Sequence, residues 1–266
     1  MSSKTITTKI IAVLCGCFLF SLAACSLNEK STAPLPSWQD GVLRVGVTPN
    51  YPCFIDKAAG TGLISGFEAE CAALLAQRLH SKLEFVEMKW QDQIPALERK
   101  KVDIIMSAMS ITEMRKLQVA FSEPYFTINQ MALTTKAEEK NFPTAQDILT
   151  TRKAIGVEEG TTGDLFVKRY CPGAEPFFFS SPADGVQALL DKRITLFIYD
   201  GPVLHTFAAA NGADGLVLLP FPLTSEELAW AVRRDDPALL TEINSALAGW
   251  KKDGTLHGLL KKWLPQ

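Results

Sequence analysis

With 266 residues, 47% of them hydrophobic, the chain has enough apolar material for one large core or two modest ones. A formal net charge of −2 argues against nucleic acid or another polyanion as partner. No Cys-x-x-Cys pair or His cluster occurs and His80, His205 and His257 are scattered, so no metal site and no cofactor are expected.

The first 24 residues read as a targeting segment. Lys4 and Lys9 precede an apolar run, residues 10–20, that is too short for a comfortable transmembrane helix. The run leads into Leu22-Ala23-Ala24-Cys25, which is similar to the bacterial lipobox. That similarity implies cleavage before Cys25 and acylation of its sulfur; plain secretion with an incidental cysteine is the alternative. Residues 25–40, polar and proline-containing, then serve as a flexible tether. Cys53, Cys71 and Cys171 remain in the mature chain, which allows one intramolecular bridge at most. Cys53 with Cys71 is the pair closest in sequence, and buried free thiols are the alternative.

Residues 42–47 (VLRVGV) alternate apolar and polar and predict a first strand, followed by a turn over residues 48–52 that leaves Tyr51 and Phe54 near its C-terminal end. A helix is predicted from Gly66-Phe67-Glu68 to His80, a strand over 83–86, a helix over 92–100 and a strand over 102–106. Thr112 is placed to N-cap a helix over 113–120. Residues 126–135 are extended and lead out of this unit. A second alternating unit follows, with helices over 144–151, 162–170 and 183–192, one more after Asp200-Gly201-Pro202, and strands over 154–157, 176–179, 195–199 and 216–219. Such alternation implies an α/β fold with helix-covered parallel sheets, whose ligands sit beyond the carboxyl ends of the strands. Residues 228–232 are a further strand, and 237–264 hold two helices hinged at Asp253-Gly254.

The stretch Asp103-Ile104-Ile105-Met106-Ser107-Ala108-Met109-Ser110-Ile111-Thr112-Glu113-Met114-Arg115, with Phe121-Ser122-Glu123-Pro124-Tyr125 after it, has the most chemistry. Arg115 opposes the helix dipole, a placement that an anionic ligand would reverse in sign. Its guanidinium can grip a carboxylate two-pronged, with serine hydroxyls and free helix amides completing the shell. The stretch resembles the central signature of the family 3 extracytoplasmic solute-binding proteins, the amino-acid receptors of ABC importers. The resemblance spans residues 41–266 and implies a two-lobed periplasmic-binding-protein fold of type II. Two hinge strands, near residues 130 and 224, would flank a ligand cleft. Residues 41–130 and 224–266 would form lobe 1, and residues 131–223 lobe 2.

Two further features repeat the theme of a charge held at a helix start. Gly160-Thr161-Thr162-Gly163 sets a pair of hydroxyls at a helix N-terminus, and Asp200 follows an apolar strand. Together with Arg115 they define a trap for a zwitterion, in which Arg115 and Thr162 take an α-carboxylate and Asp200 an α-ammonium. Each also has a plain structural reading: a solvated arginine, a capped helix, an aspartate capping the next helix. The resemblance supports the same three roles. It also brings in Ser107, Ala108, Ser110 and Thr161 around the amino-acid head group, and Tyr51 and Trp90 as aromatic walls. Receptors for basic amino acids usually carry an acid where this chain has Thr48, which weakens a lysine or arginine assignment; Glu158 and Glu159 partly restore it and argue against an acidic ligand, with solvated loop carboxylates as the alternative. The expectation is a monomeric, lipid-anchored receptor that is not an enzyme. It would bind a neutral polar or cationic amino acid and pass it to an ABC permease. The alternative is a cyclohexadienyl dehydratase-like enzyme, with Glu158, Glu159 or Glu68 as general acid.

Overall fold

A computed structural model describes residues 37–264. The targeting segment, Cys25 and most of the tether lie outside the described residues. Ser37–Asp40 is a turn of 3-10 helix, and Trp38 Nε1 donates to Asp236 at 3.2 Å, so the chain is already docked there.

Two five-stranded sheets carry the architecture. In the first, Lys82–Glu87, Val42–Val47 and Ile104–Ile105 run parallel, and Ala231–Val232 and Ala120–Phe121 extend the sheet with antiparallel pairing. In the second, Glu175–Phe179, Ala154–Glu158 and Leu196–Asp200 are parallel, and Gln130–Thr135 lies antiparallel between Leu196–Asp200 and Leu216–Leu218. The chain leaves the first sheet through Phe126–Ile128 and returns through Glu226–Leu228, and these two segments pair with each other. They are the two hinge strands of the two-lobed type II fold.

Local chemistry explains most boundaries. The helix Phe67–Arg78 buries Phe67, Cys71, Ala72 and Leu75 against the first sheet. It starts at Gly66, whose φ of 126° is open to glycine and strained for other residues. A Cβ there would lie 2.4 Å from the Phe54 carbonyl oxygen. Pro237 begins a helix whose N-cap, Asp236, accepts the Leu239 amide, and that helix ends at Gly254 with φ 85°. Trp230 is fully buried and stacks on Tyr125 at 5.2 Å, anchoring the returning segment to the first lobe.

Four expectations are corrected. The helix over 113–120 is a single turn, Glu113–Lys116. Ala120–Phe121 instead joins the sheet edge, where pairing with Ala231–Val232 outweighs local helix propensity. The extended run 126–135 breaks at Asn129 into two strands serving different sheets. The strand over 228–232 likewise divides into Glu226–Leu228 and Ala231–Val232. Asn50–Tyr51, expected within a turn over 48–52, instead pairs with Ile55–Lys57, and with Ile64–Ser65 these form a small three-stranded sheet. Cys53, Cys71 and Cys171 are all free thiols, so the alternative of unbridged cysteines holds.

Gly66→Ala is expected to destabilise the protein by about 1–3 kcal/mol, through backbone strain and the clash with Phe54. Urea denaturation checks this, and an unchanged midpoint would contradict the close packing of this helix start.

Candidate ligand cleft

A narrow cavity lies between the lobes, and both contribute to its walls. From the first lobe it is lined by Tyr51, Trp90, Ser107, Ala108, Ser110 and Arg115, with Thr48 and Asn50. The second lobe contributes Glu158, Thr161, Thr162, Tyr199 and Asp200. All nine residues expected from the sequence therefore line one cavity.

Arg115 sits in the one-turn helix capped by Thr112, whose hydroxyl accepts the Arg115 amide at 3.2 Å. Its Nη1 donates to the Ser110 carbonyl at 2.8 Å, and the guanidinium lies 5.1 Å from the Trp90 ring centroid. These contacts fix the head group over the cavity instead of leaving it in solvent. Burial brings its pKa down to about 10, with Glu226 and Asp200 pulling the other way, so it remains a cation at neutral pH. The loop beneath is held from behind. The Thr48 amide donates to Ser107 Oγ at 2.9 Å, and the Ala108 amide donates to Glu68 Oε2 at 2.8 Å. Ala108 adopts φ 52°, an uncommon conformation for a residue with a side chain. Ser110 Oγ donates to Glu226 Oε2 at 2.7 Å.

On the second lobe, Asp200 precedes the helix Gly201–Ala210 without capping it. Its carboxylate instead accepts Tyr51 Oη from the first lobe and Gln130 Nε2. Burial pushes its pKa up to about 7, aided by the charge of Glu226 and opposed by those two bonds and by Arg115. Gln130 Nε2 also donates to Thr162 Oγ1 at 3.1 Å, tying the two expected anchors of this lobe together. Thr161 does cap its helix, accepting the Asp164 amide at 3.4 Å. The amides of Thr162 and Gly163 lie in the first turn of that nine-residue helix, where no earlier turn can accept from them, and Thr162 lines the cavity. Glu158 accepts Tyr199 Oη at 2.7 Å, and burial pushes its pKa up to about 7.

Further contacts cross the cleft. Trp90 Nε1 donates to the Gly160 carbonyl at 3.0 Å, and Gln91 Nε2 to the Glu159 carbonyl at 3.1 Å. The lobes are thus closed on each other. Sequence reasoning missed Gln130, Glu226 and Tyr199. Gln130 and Glu226 lie at the ends of the hinge segments, and only knowing that those segments pair would have pointed to the cleft. Tyr199 directly precedes Asp200, but it read as an ordinary strand aromatic. Of the carboxylates offered as general acids, Glu159 is exposed and Glu68 lies behind the loop, bonded to Tyr125, Trp230 and the Ala108 amide.

Residues 43–266 match the model of the bacterial extracellular solute-binding proteins, family 3. The chain is 28% identical over 260 residues to the ABC transporter glutamine-binding protein GlnH of Bacillus subtilis, covering 97% of this chain and 93% of the relative. It is 30% identical over 224 residues to the L-cystine-binding protein TcyJ of Escherichia coli K12, covering 84% and 82%. Among solved structures, an ancestral amino acid-binding protein, described as a precursor of cyclohexadienyl dehydratase, aligns with a TM-score of 0.79 at 35% identity. That alignment covers 85% of this chain and 96% of the other. These relatives are named as binding proteins.

The raised pKa values of Glu68, Glu158 and Asp200 make stability depend on pH with a definite sign. Unfolded, these groups ionise in the ordinary carboxylate range; folded, each ionises near 7. The folded state therefore holds extra protons between the two values, and the associated stability is lost as pH rises through about 7. The Tm of ligand-free protein should fall from about pH 5 to about pH 8, and Glu158→Gln and Asp200→Asn should each flatten that slope. A slope that both variants leave untouched would contradict the burial of these groups.

Proposed function

The chain belongs to the bacterial extracellular solute-binding proteins, family 3, and from that premise we propose that it is a receptor for a free L-amino acid, neutral polar or cationic, serving an ABC importer. One observation carries the reading: a cation, Arg115, and an anion, Asp200, face the same cavity from opposite lobes. The α-carboxylate pairs with the guanidinium and with the amides at the start of the helix Thr162–Tyr170, and the α-ammonium pairs with Asp200. A dipolar solute of this kind leaves neither fixed charge unmatched on closure. An acid or an amine alone would satisfy one and strand the other.

The protein works by binding and release, without chemical conversion of its ligand. Lobe 1 (41–130 with 224–266) and lobe 2 (131–223) rotate about the paired hinge strands, and the closed form presents both lobes to the permease. Residues 1–24 direct export, Cys25 carries the lipid, and the segment to residue 40 tethers a monomer at the membrane, in the periplasm or on the cell surface. Among the described residues, no helix is long and apolar enough to cross a membrane.

Mass spectrometry of the solute released from natively purified protein should identify an amino acid. Added back to ligand-free protein, it should raise the Tm. Arg115→Ala and Asp200→Ala should each cost about 2–5 kcal/mol of binding, since each leaves a buried charge without its partner. Retained affinity in both variants would overturn the proposal, and turnover of prephenate or arogenate would replace it with the enzyme.

A further inference from the structure

Among the described residues, the charged groups lining the cavity are Arg115, Glu158 and Asp200, one cation against two anions. This inference rests on the amino-acid reading above, which fixes how two of them are used. The ligand's carboxylate takes Arg115 and its ammonium takes Asp200, so a zwitterion leaves the cavity one negative charge in excess. That excess is Glu158. It ends the strand Ala154–Glu158, beside the parallel strand that ends at Asp200, and it is 2% exposed. The neighbours that face it bring no cation. Tyr199, from the adjacent strand, donates a neutral hydroxyl at 2.7 Å, and Asp200 and Asp184, the latter on the helix Pro182–Leu190, bear on it as like charges. Glu226, which accepts Ser110 Oγ near Arg115, adds to the negative field at that edge.

A buried carboxylate is stable when it is paired or when it stays protonated. We infer that Glu158 is the specificity-determining residue of the cleft and pairs with a cationic side chain, so that the ligand is a basic amino acid with a guanidinium or ammonium beyond its aliphatic stem. The remaining walls fit such a group. Tyr51, Trp90 and Tyr199 line the same cavity and supply ring carbon against which an aliphatic stem packs, the Trp90 face itself being taken by Arg115. Thr48 offers no competing acid. Its hydroxyl donates to the Met88 carbonyl at 3.0 Å and accepts Gln93 Nε2 at 2.9 Å, which keeps it engaged with its own lobe. Selection for positive charge therefore comes from the second lobe and is completed on closure.

The test compares arginine with citrulline, which has nearly the same shape and no side-chain charge, by calorimetric titration of the full mature protein stripped of ligand. Arginine should bind at least about tenfold more tightly than citrulline. Glu158→Gln, which keeps an acceptor for Tyr199, should bring the ratio to within about threefold, chiefly by weakening arginine. The wild-type ratio should also widen as pH rises through about 7, because only ionised Glu158 distinguishes the two ligands. Citrulline or glutamine binding as tightly as arginine would overturn the inference while leaving an amino-acid receptor standing. So would a Glu158→Gln variant that weakens arginine and citrulline equally. Binding of no amino acid at all would overturn both readings, and the wild-type ratio decides the matter even if the variant fails to fold.

Discussion

The structure depends on one electrostatic constraint: fixed charges that lose water when two lobes close must find partners in the space between them. Arg115 is drawn down to about 10 and Asp200 is pushed up to about 7, and burial is the largest cause of both shifts. Both charges are less comfortable in the closed cleft than in water. The protein partly offsets this with neutral dipoles. Tyr51 and Gln130 donate to Asp200, and the Trp90 ring lies under the guanidinium. Such partners hold geometry without cancelling charge. Full cancellation is left to a solute with both signs, which is how a rigid constellation turns charge burial into selectivity.

Closure is held in part by backbone carbonyls of the second lobe. The Gly160 carbonyl is the meeting point. It accepts Trp90 Nε1 at 3.0 Å, and Arg115 Nη2 lies 3.5 Å away. Glu159 offers its carbonyl to Gln91 one residue earlier. These carbonyls belong to the loop that opens the helix Thr162–Tyr170, so the contacts that shut the cleft also set where the helix amides point. The contacts are few and partly exposed, each contributing about 1 kcal/mol at most. A latch of that strength biases the closed state without locking it, so the solute can tip the balance. The hinge is consistent with this division. Phe126–Ile128 and Glu226–Leu228 pair with each other, and Gln130 and Glu226 reach from its ends toward the anchors.

Much of this was legible in the sequence, for reasons that differ by residue. Strand Val42–Val47 was read to the residue because its alternation matches a sheet with a buried face. Arg115, Thr162 and Asp200 stand out in the sequence because each is a polar or charged residue beside an apolar element, where burial is unfavourable without a partner, and all three line one cavity. The helix after Thr112 was overextended because nothing local announces that Ala120–Phe121 will be claimed by a strand more than a hundred residues later. Gln130 and Tyr199 were missed for the related reason that their side chains act through partners distant in sequence. Glu158 stands out in the sequence for its charge, but the predicted strand stops one residue short of it, at 157. Its position at the last residue of a buried strand is set by the register with Glu175–Phe179, which composition alone does not reveal.

The two acids near the lobe interface illustrate why position, and not residue type, decides chemistry here. Glu68 and Glu158 are both pushed to about 7 by burial. Glu68 lies behind the loop and accepts from Tyr125, Trp230 and the Ala108 amide, the last of which ties it to the loop where Ala108 adopts φ 52°. It is a structural acid whose work is to present the Ser107 to Ser110 backbone at one angle. Glu158 has one hydroxyl donor and a face on the cavity, so acceptor capacity remains for whatever enters. A fold that needs a rigid loop and a selective cleft thus uses the same side chain twice. The number of donors already aimed at each carboxylate determines which of the two meets the solute.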